Sequence, residues 1–223
     1  MALFSLRLYE DVLPPNHPPV YLAAANRAVY VVDGDVSFEF ADGAQHHRLD
    51  SAWLGEDAIA LLAGAAGATL WRWELLPADE TPPALLRAAP GAYSTCKLSE
   101  NIELDMRQRW LIRCDKVEFP PGGIAHTHVH QGPGIRCCLH GEITIETQGH
   151  THVHGPGEAW FELGHAPVLA PTTHERDTTF VRCFVLPQAC RSRSSIRYVK
   201  PEDTEKQKPQ RYHVFGERFV RLD

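Results

Sequence analysis

The feature that most constrains this chain is that one stretch of it is written twice. Gly34 lies over Gly141 at an offset of 107 residues (141 − 34), and Asp33-Gly34-Asp35-Val36 then matches His140-Gly141-Glu142-Ile143. Ala52-Trp53 falls on Ala159-Trp160 at the same offset. After a short gap, Leu70-Trp71-Arg72-Trp73-Glu74-Leu75-Leu76-Pro77 falls on Phe180-Val181-Arg182-Cys183-Phe184-Val185-Leu186-Pro187. Upstream, Pro14-Pro15 comes within a residue of Pro120-Pro121. Ordered matches at a nearly constant offset indicate one structural unit, copied and fused.

Each copy reads as strands. Val36-Ser37-Phe38-Glu39-Phe40 and Ile143-Thr144-Ile145-Glu146 alternate apolar and polar residues, the period of a half-buried strand. Asp42-Gly43 and Gln148-Gly149 stand where a hairpin must turn. Seventeen prolines and sixteen glycines cut the 223 residues into short runs, the pattern of a sandwich or barrel. The expected divisions are a first barrel over 1–80, a linker over 81–93, a second barrel over 94–190 and a polar segment with an arm over 191–223. In the linker, Thr81-Pro82-Pro83-Ala84-Leu85-Leu86 has the capping residue and early prolines of a short helix. Tyr212 to Leu222 alternates apolar residues and is free to dock as an arm or to exchange with a neighbouring subunit.

A formal net charge of −6 excludes the basic face that a nucleic-acid binder needs. No apolar run is long enough for a membrane helix, and Met1 to Arg7 lacks the pattern of a secretory leader, so a cytoplasmic protein is expected. Six cysteines without a Cys-x-x-Cys pair read as reduced, packed thiols.

The chemistry concentrates in the second copy, in Pro120-Pro121-Gly122-Gly123-Ile124-Ala125-His126-Thr127-His128-Val129-His130. On a strand, residues two apart share a face at a spacing of roughly 6–7 Å. Neighbouring histidines can then converge on one ion, whereas three in a row cannot without a bulge, so one of the three should be a bystander.

Gly122, five residues, His128-Val129-His130 and the later Gly141 resemble the first sequence motif of the cupins, and Gly157-Glu158 is similar to the opening of the second. The resemblance spans both repeats and implies an all-β fold of two tandem double-stranded β-helix (jelly-roll) barrels, a bicupin, most often a homodimer. It selects His128 and His130 as metal ligands and leaves His126 outside the pair. The motif's glutamate position is Gly134, and its later histidine position falls on Val168, so two usual ligands are missing. The remaining donors are His165, His174, His126 or Gln131, or water and substrate. In the first copy the ligand positions are Tyr21 and Ala23, which points to a structural half.

His150-x-His152-x-His154 reads as a surface strand rather than a ligand set. Alternation from His128 places Gly134, Arg136 and Cys138 on the barrel-facing side. Arg136 either grips a carboxylate ligand, or pairs with a carboxylate such as Glu158, Glu162 or Asp177 or reaches solvent at the barrel mouth. Arg72 and Arg182, at equivalent repeat positions, are expected to face outward into salt bridges. The resemblance implies a divalent transition metal (Fe, Mn, Ni or Zn) and an enzyme, such as a dioxygenase, acting on a small organic acid or carbonyl compound. The rival is a non-catalytic small-molecule-binding or sensing cupin without an obligatory metal. His128 and His130 would hold the ion and Arg136 would orient a carboxylate; no general base is identified.

Overall fold

The structure, a computed structural model, describes residues 1–80 and 90–222. The short helix expected from Thr81 lies outside the described residues. The chain divides into two compact units: Met1–Arg107 with Val220–Asp223, and Gln108–Phe219. Both are built of antiparallel strands, and among the described residues the only helices are a short α-helix, α1 (Pro201–Glu205), and a single 3-10 turn. None of the helices is long and apolar enough to cross a membrane.

The first unit contains β1 (Ala2–Leu13), β2 (Val20–Leu22), β3 (Asn26–Phe40), β4 (Gly43–Arg48), β5 (Ala52–Gly55), β6 (Ile59–Pro77) and β7 (Tyr93–Leu104). They join in one sheet of order β4-β3-β6-β1-β7, with β2 on β6 and β5 on β3. The second unit contains β8 (Trp110–Phe119), β9 (Ile124–His130), β10 (Gly134–His140), β11 (Ile143–Thr147), β12 (His150–His154), β13 (Ala159–Glu162), β14 (Val168–Pro171), β15 (Thr178–Pro187), β16 (Ile196–Tyr198) and β17 (Arg211–Phe219). Two five-stranded sheets result, β13-β10-β15-β8-β17 and β12-β11-β14-β9-β16.

The duplication is visible in the backbone. Gly34 and Gly141 both take a left-handed φ, 75° and 74°. A Cβ at either would collide with a facing carbonyl oxygen, that of Gly67 or that of Asp177. Trp53 and Trp160 are buried alike, Trp53 stacked on Phe38 and Trp160 edge-on to Phe180. The second-copy hairpin turns at Gln148 and Gly149, both at positive φ, as a two-residue primed turn requires.

The boundaries differ from those expected. Residues 94–104 do not open the second unit; they pair along β1, with Phe4 opposite Ile102 and Leu8 opposite Leu98. The physical reason is the need of β1, a largely buried strand, for partners on both edges. Nor is the terminal segment an appendage. β17 docks on β8 of its own unit, and β16 pairs with the histidine strand, Ile196 opposite His130. The six cysteines are free thiols, five of them buried.

Inside the first barrel lies a closed network of charge. Arg72 grips Asp11 through Nε (2.6 Å) and Nη2 (3.0 Å) and meets Glu74 through Nη1 at 2.7 Å. Arg27 meets the same Glu74 oxygen at 3.1 Å and also donates to the Ala23 carbonyl. All four groups are essentially inaccessible to solvent. Arg72 therefore does not face outward as expected. Alternation along β6 turns it to the side of core residue Leu70, where two arginines and two carboxylates cancel. At the level of the second barrel's histidines, this interior is filled by Val20 and Leu22, while Tyr21 points out.

Candidate metal centre

Strand β9 is held on both edges, by β14 and by β16. The pairing with β14 slips between Ala125 and His128: Ala170 stands opposite Ala125 and Val168 opposite His128. Two steps along β14 thus span three along β9, a bulge that resets which residues face inward. Ala125, His128 and His130 line the interior and His126 does not. His126 is the bystander, yet its carbonyl has a use, accepting a hydrogen bond from His128 Nδ1 at 2.7 Å.

His128 and His130 are each only 5% exposed, with ring centroids 4.9 Å apart. His130 Nδ1 lies 3.3 Å from Ser195 Oγ. Each ring is therefore anchored through Nδ1; the His126 carbonyl can only accept, so neutral His128 keeps its lone pair on Nε2, and His130 does the same when its Nδ1–H donates to the Ser195 hydroxyl. The third member is Glu162. One ligand atom from each of His128, His130 and Glu162 can be chosen so that all lie within 4.8 Å of one another, and this is the one such group among the described residues. The space they face is about 20 Å³, room for a single ion or water.

Glu162 explains the missing glutamate. It stands directly across the ladder from Gly134, the position at which the motif's carboxylate is absent. Directly opposed residues on one face have Cβ atoms roughly 4.5–5.5 Å apart, so a carboxylate at 162 reaches the volume that one at 134 would fill. Gly134 itself has no room for a side chain: a Cβ there would stand 2.6 Å from the Cys183 carbonyl oxygen. The first copy has the reverse arrangement, Arg27 opposite Gly55.

The other expected donors are not brought to the site. Gln131, His165 and His174 are exposed, and His174 packs its ring over Gly122. His165 lies in the β13–β14 connection, which turns this ring to solvent. His150 and His152 are exposed on β12, and His154 stacks on Trp160 at 5.0 Å.

Arg136 does face inward, but it is occupied. Its Nη2 lies 2.7 Å from Glu162 Oε2, its Nη1 donates to the Gly134 carbonyl, and its guanidinium rests on the Phe184 ring. It is 1% exposed, and burial pushes its pKa down to about 10 against the pull of Glu162, which leaves it charged at neutral pH. Glu162 Oε1 accepts from Trp160 Nε1 at 2.9 Å. The ion pair at Oε2 is not aligned as a hydrogen bond, so this buried oxygen keeps an unused lone pair. Burial alone would raise the Glu162 pKa, but Arg136, His128 and the Trp160 bond together hold it below the ordinary value. An anchored pair of neutral imidazoles and an ionised carboxylate with a spare lone pair fit a divalent ion.

Arg182 also departs from expectation. It is 8% exposed and lies opposite Arg136 on one side and Asp115 on the other, with Nε donating to Asp115 at 2.6 Å. Its guanidinium sits over Phe184 and near Tyr212. It forms a salt bridge, but on the inner face.

Burial lowers the pKa of His128 and lowers that of His130 further. The unfolded chain, with imidazoles near 6.5, binds more protons than the folded one just below that pH. Stability conferred by these residues is therefore full above pH 6.5 and falls as the solution is acidified through it. Denaturation midpoints of the metal-free protein should drop between pH 7 and pH 5.5, and less so in His128→Ala/His130→Ala.

The fold is that of the cupins, and the second unit adds an interior group of two histidines and one carboxylate. Among solved structures, a single-site variant of oxalate decarboxylase from Bacillus subtilis is similar over 92% of this chain and 80% of its own, with TM-score 0.65 and 11% identity. AerE from Microcystis aeruginosa is similar over 83% of this chain and 88% of its own, with TM-score 0.56 and 11% identity. At such identities the likeness is one of fold. No protein-family model matches the sequence, and no curated protein sequence matches it.

Proposed function

We propose that the second unit is a mononuclear metal centre, held by His128, His130 and Glu162, that acts on a small organic acid or carbonyl compound. The observation that carries this reading is the convergence of three buried donor atoms on a space the size of one ion. Two imidazoles and a carboxylate with the remaining positions open form the donor set of non-haem Fe(II) oxygenases, which favours Fe among Fe, Mn, Ni and Zn and a dioxygenase among the reaction classes. Bound there, the ion offers open coordination positions and Lewis acidity to a chelating substrate. The protein's own part is orientation: the His126 carbonyl and Ser195 fix the two rings, and Arg136 and Trp160 fix the carboxylate.

Elemental analysis of untagged protein tests the proposal. Near-stoichiometric transition metal is expected in the wild type and its loss in His128→Ala/His130→Ala. A metal-free wild type whose melting temperature ignores added Fe, Mn, Ni, Co and Zn overturns it. That outcome would favour a non-catalytic binding cupin, a reading supported by the Arg136–Glu162 pair, which neutralises the interior without any ion.

A further inference from the structure

The second unit has a larger cavity beside the proposed centre. It measures about 390 Å³ and is lined by Arg113, Asp115, Arg182, the Ser192–Ile196 segment, Tyr212, Val214 and Glu217. Arg182, Ile196 and Tyr212 also wall the small space at the histidines, and Ser195 touches His130, so the two spaces adjoin. Most of the lining comes from residues after 191, outside the duplicated unit. Whatever enters this cavity is thus recognised by sequence that the repeat does not contain.

Size and charge define the occupant. The space beside the ligand atoms admits one ion or water, so a substrate body must lie in the outer cavity. With about 390 Å³ against about 20 Å³ at the ligand atoms, that cavity takes a body well beyond a two-carbon diacid. Three arginines face two carboxylates in its lining, one positive charge in excess. Arg113 is committed to Glu217 and to the carbonyls of Cys190 and Arg193. Arg182 donates to Asp115 through Nε and rests its guanidinium face on the Phe184 and Tyr212 rings, and among the described residues Nη1 and Nη2 make no hydrogen bond. A guanidinium on a side chain about nine-tenths buried, with its terminal nitrogens free of hydrogen bonds where the cavity meets the inner space, is a fork for a carboxylate. Beside it, Ile196, Tyr212 and Val214 offer an apolar and aromatic wall.

We infer that this cavity is the substrate site, that it takes a monocarboxylate carrying an apolar body of about ring size, and that Arg182, not Arg136, receives the carboxylate. The inference deepens the proposed function and rests on it for the word substrate; the binding itself does not require the metal. Calorimetric titration of the full chain, both chelator-treated and loaded with Fe(II) under nitrogen, tests it with three probes: 3-phenylpropanoate, its primary amide and oxalate. We expect 3-phenylpropanoate to bind at least tenfold more tightly than the amide or oxalate in both forms, and Arg182→Met to erase that preference with metal content unchanged. Because Arg182→Met also strands Asp115, Val214→Trp gives a second arm. It fills the cavity from the half-exposed β17 and should abolish binding of the acid while leaving metal content intact. Acid and amide binding equally, or Val214→Trp binding the acid as the wild type does, overturns the inference. Acid binding to a protein that takes up no metal leaves the site standing and removes the metal centre instead.

Discussion

Glu74→Leu should destabilise the first unit by about 3–5 kcal/mol, the cost of breaking a buried pair by removing one partner. Glu74 takes Arg27 at 3.1 Å and Arg72 at 2.7 Å, in a barrel interior that water does not reach. Without it, two guanidinium groups share one carboxylate, Asp11, and one positive charge stands uncompensated. Arg72 is the better served, because its fork is already seated on Asp11 and its pKa is held above the ordinary value even against burial. Arg27, whose pKa burial pulls down despite Glu74, is the residue left exposed to the loss. Arg27→Leu/Glu74→Leu removes one charge of each sign and leaves the Arg72–Asp11 pair balanced, so most of the lost stability should return. Urea denaturation of the wild type and the variants measures both effects. A double variant as unstable as Glu74→Leu would show that packing, not charge, is what Glu74 provides.

The same logic explains what the sequence discloses and what it hides. The repeat is legible because Gly34 and Gly141 share a backbone conformation that other residues avoid, and because Trp53 and Trp160 occupy one slot in each barrel. The histidine pair is legible because strand alternation is a local rule. Glu162 is not legible in this way: its nearness to His128 and His130 depends on β13 pairing with β10, in a register no local pattern specifies. One signal points to it, the occurrence of Trp160-Phe161-Glu162 where the first copy has Trp53-Leu54-Gly55. An acidic residue on the inward period of an otherwise apolar strand needs a partner. The arginines mislead for the same reason. Apolar neighbours in sequence make Arg72 and Arg182 look outward-facing, whereas their partners Asp11 and Asp115 come from strands 61 and 67 residues earlier. Residues 94–104 are assigned to the wrong unit by their sequence because a strand's edge, unlike its faces, leaves no mark on its side chains.

Glu162 carries two roles that a pair of variants can separate. In Glu162→Leu, Arg136 keeps its charge in a site 1% exposed, with only the Gly134 carbonyl and the Phe184 face to receive it, and the Trp160 Nε1–H loses its acceptor. We expect a loss of about 3–5 kcal/mol in the second unit, together with loss of bound metal. Arg136→Met/Glu162→Leu removes both charges and fills their volume with apolar side chains, a replacement that is often neutral or stabilising for a buried pair. Stability should then return while the metal does not, because the third donor is still missing. Measured side by side, denaturation midpoints report the ion pair and elemental content reports the ligand. A double variant that recovers metal as well as stability would assign Glu162 to the ion pair alone, with two imidazoles and solvent sufficient to hold the ion. If neither returns, the carboxylate is needed for the packing of β13 against β10, and Gly134 is small to admit that packing and not to make room for a ligand.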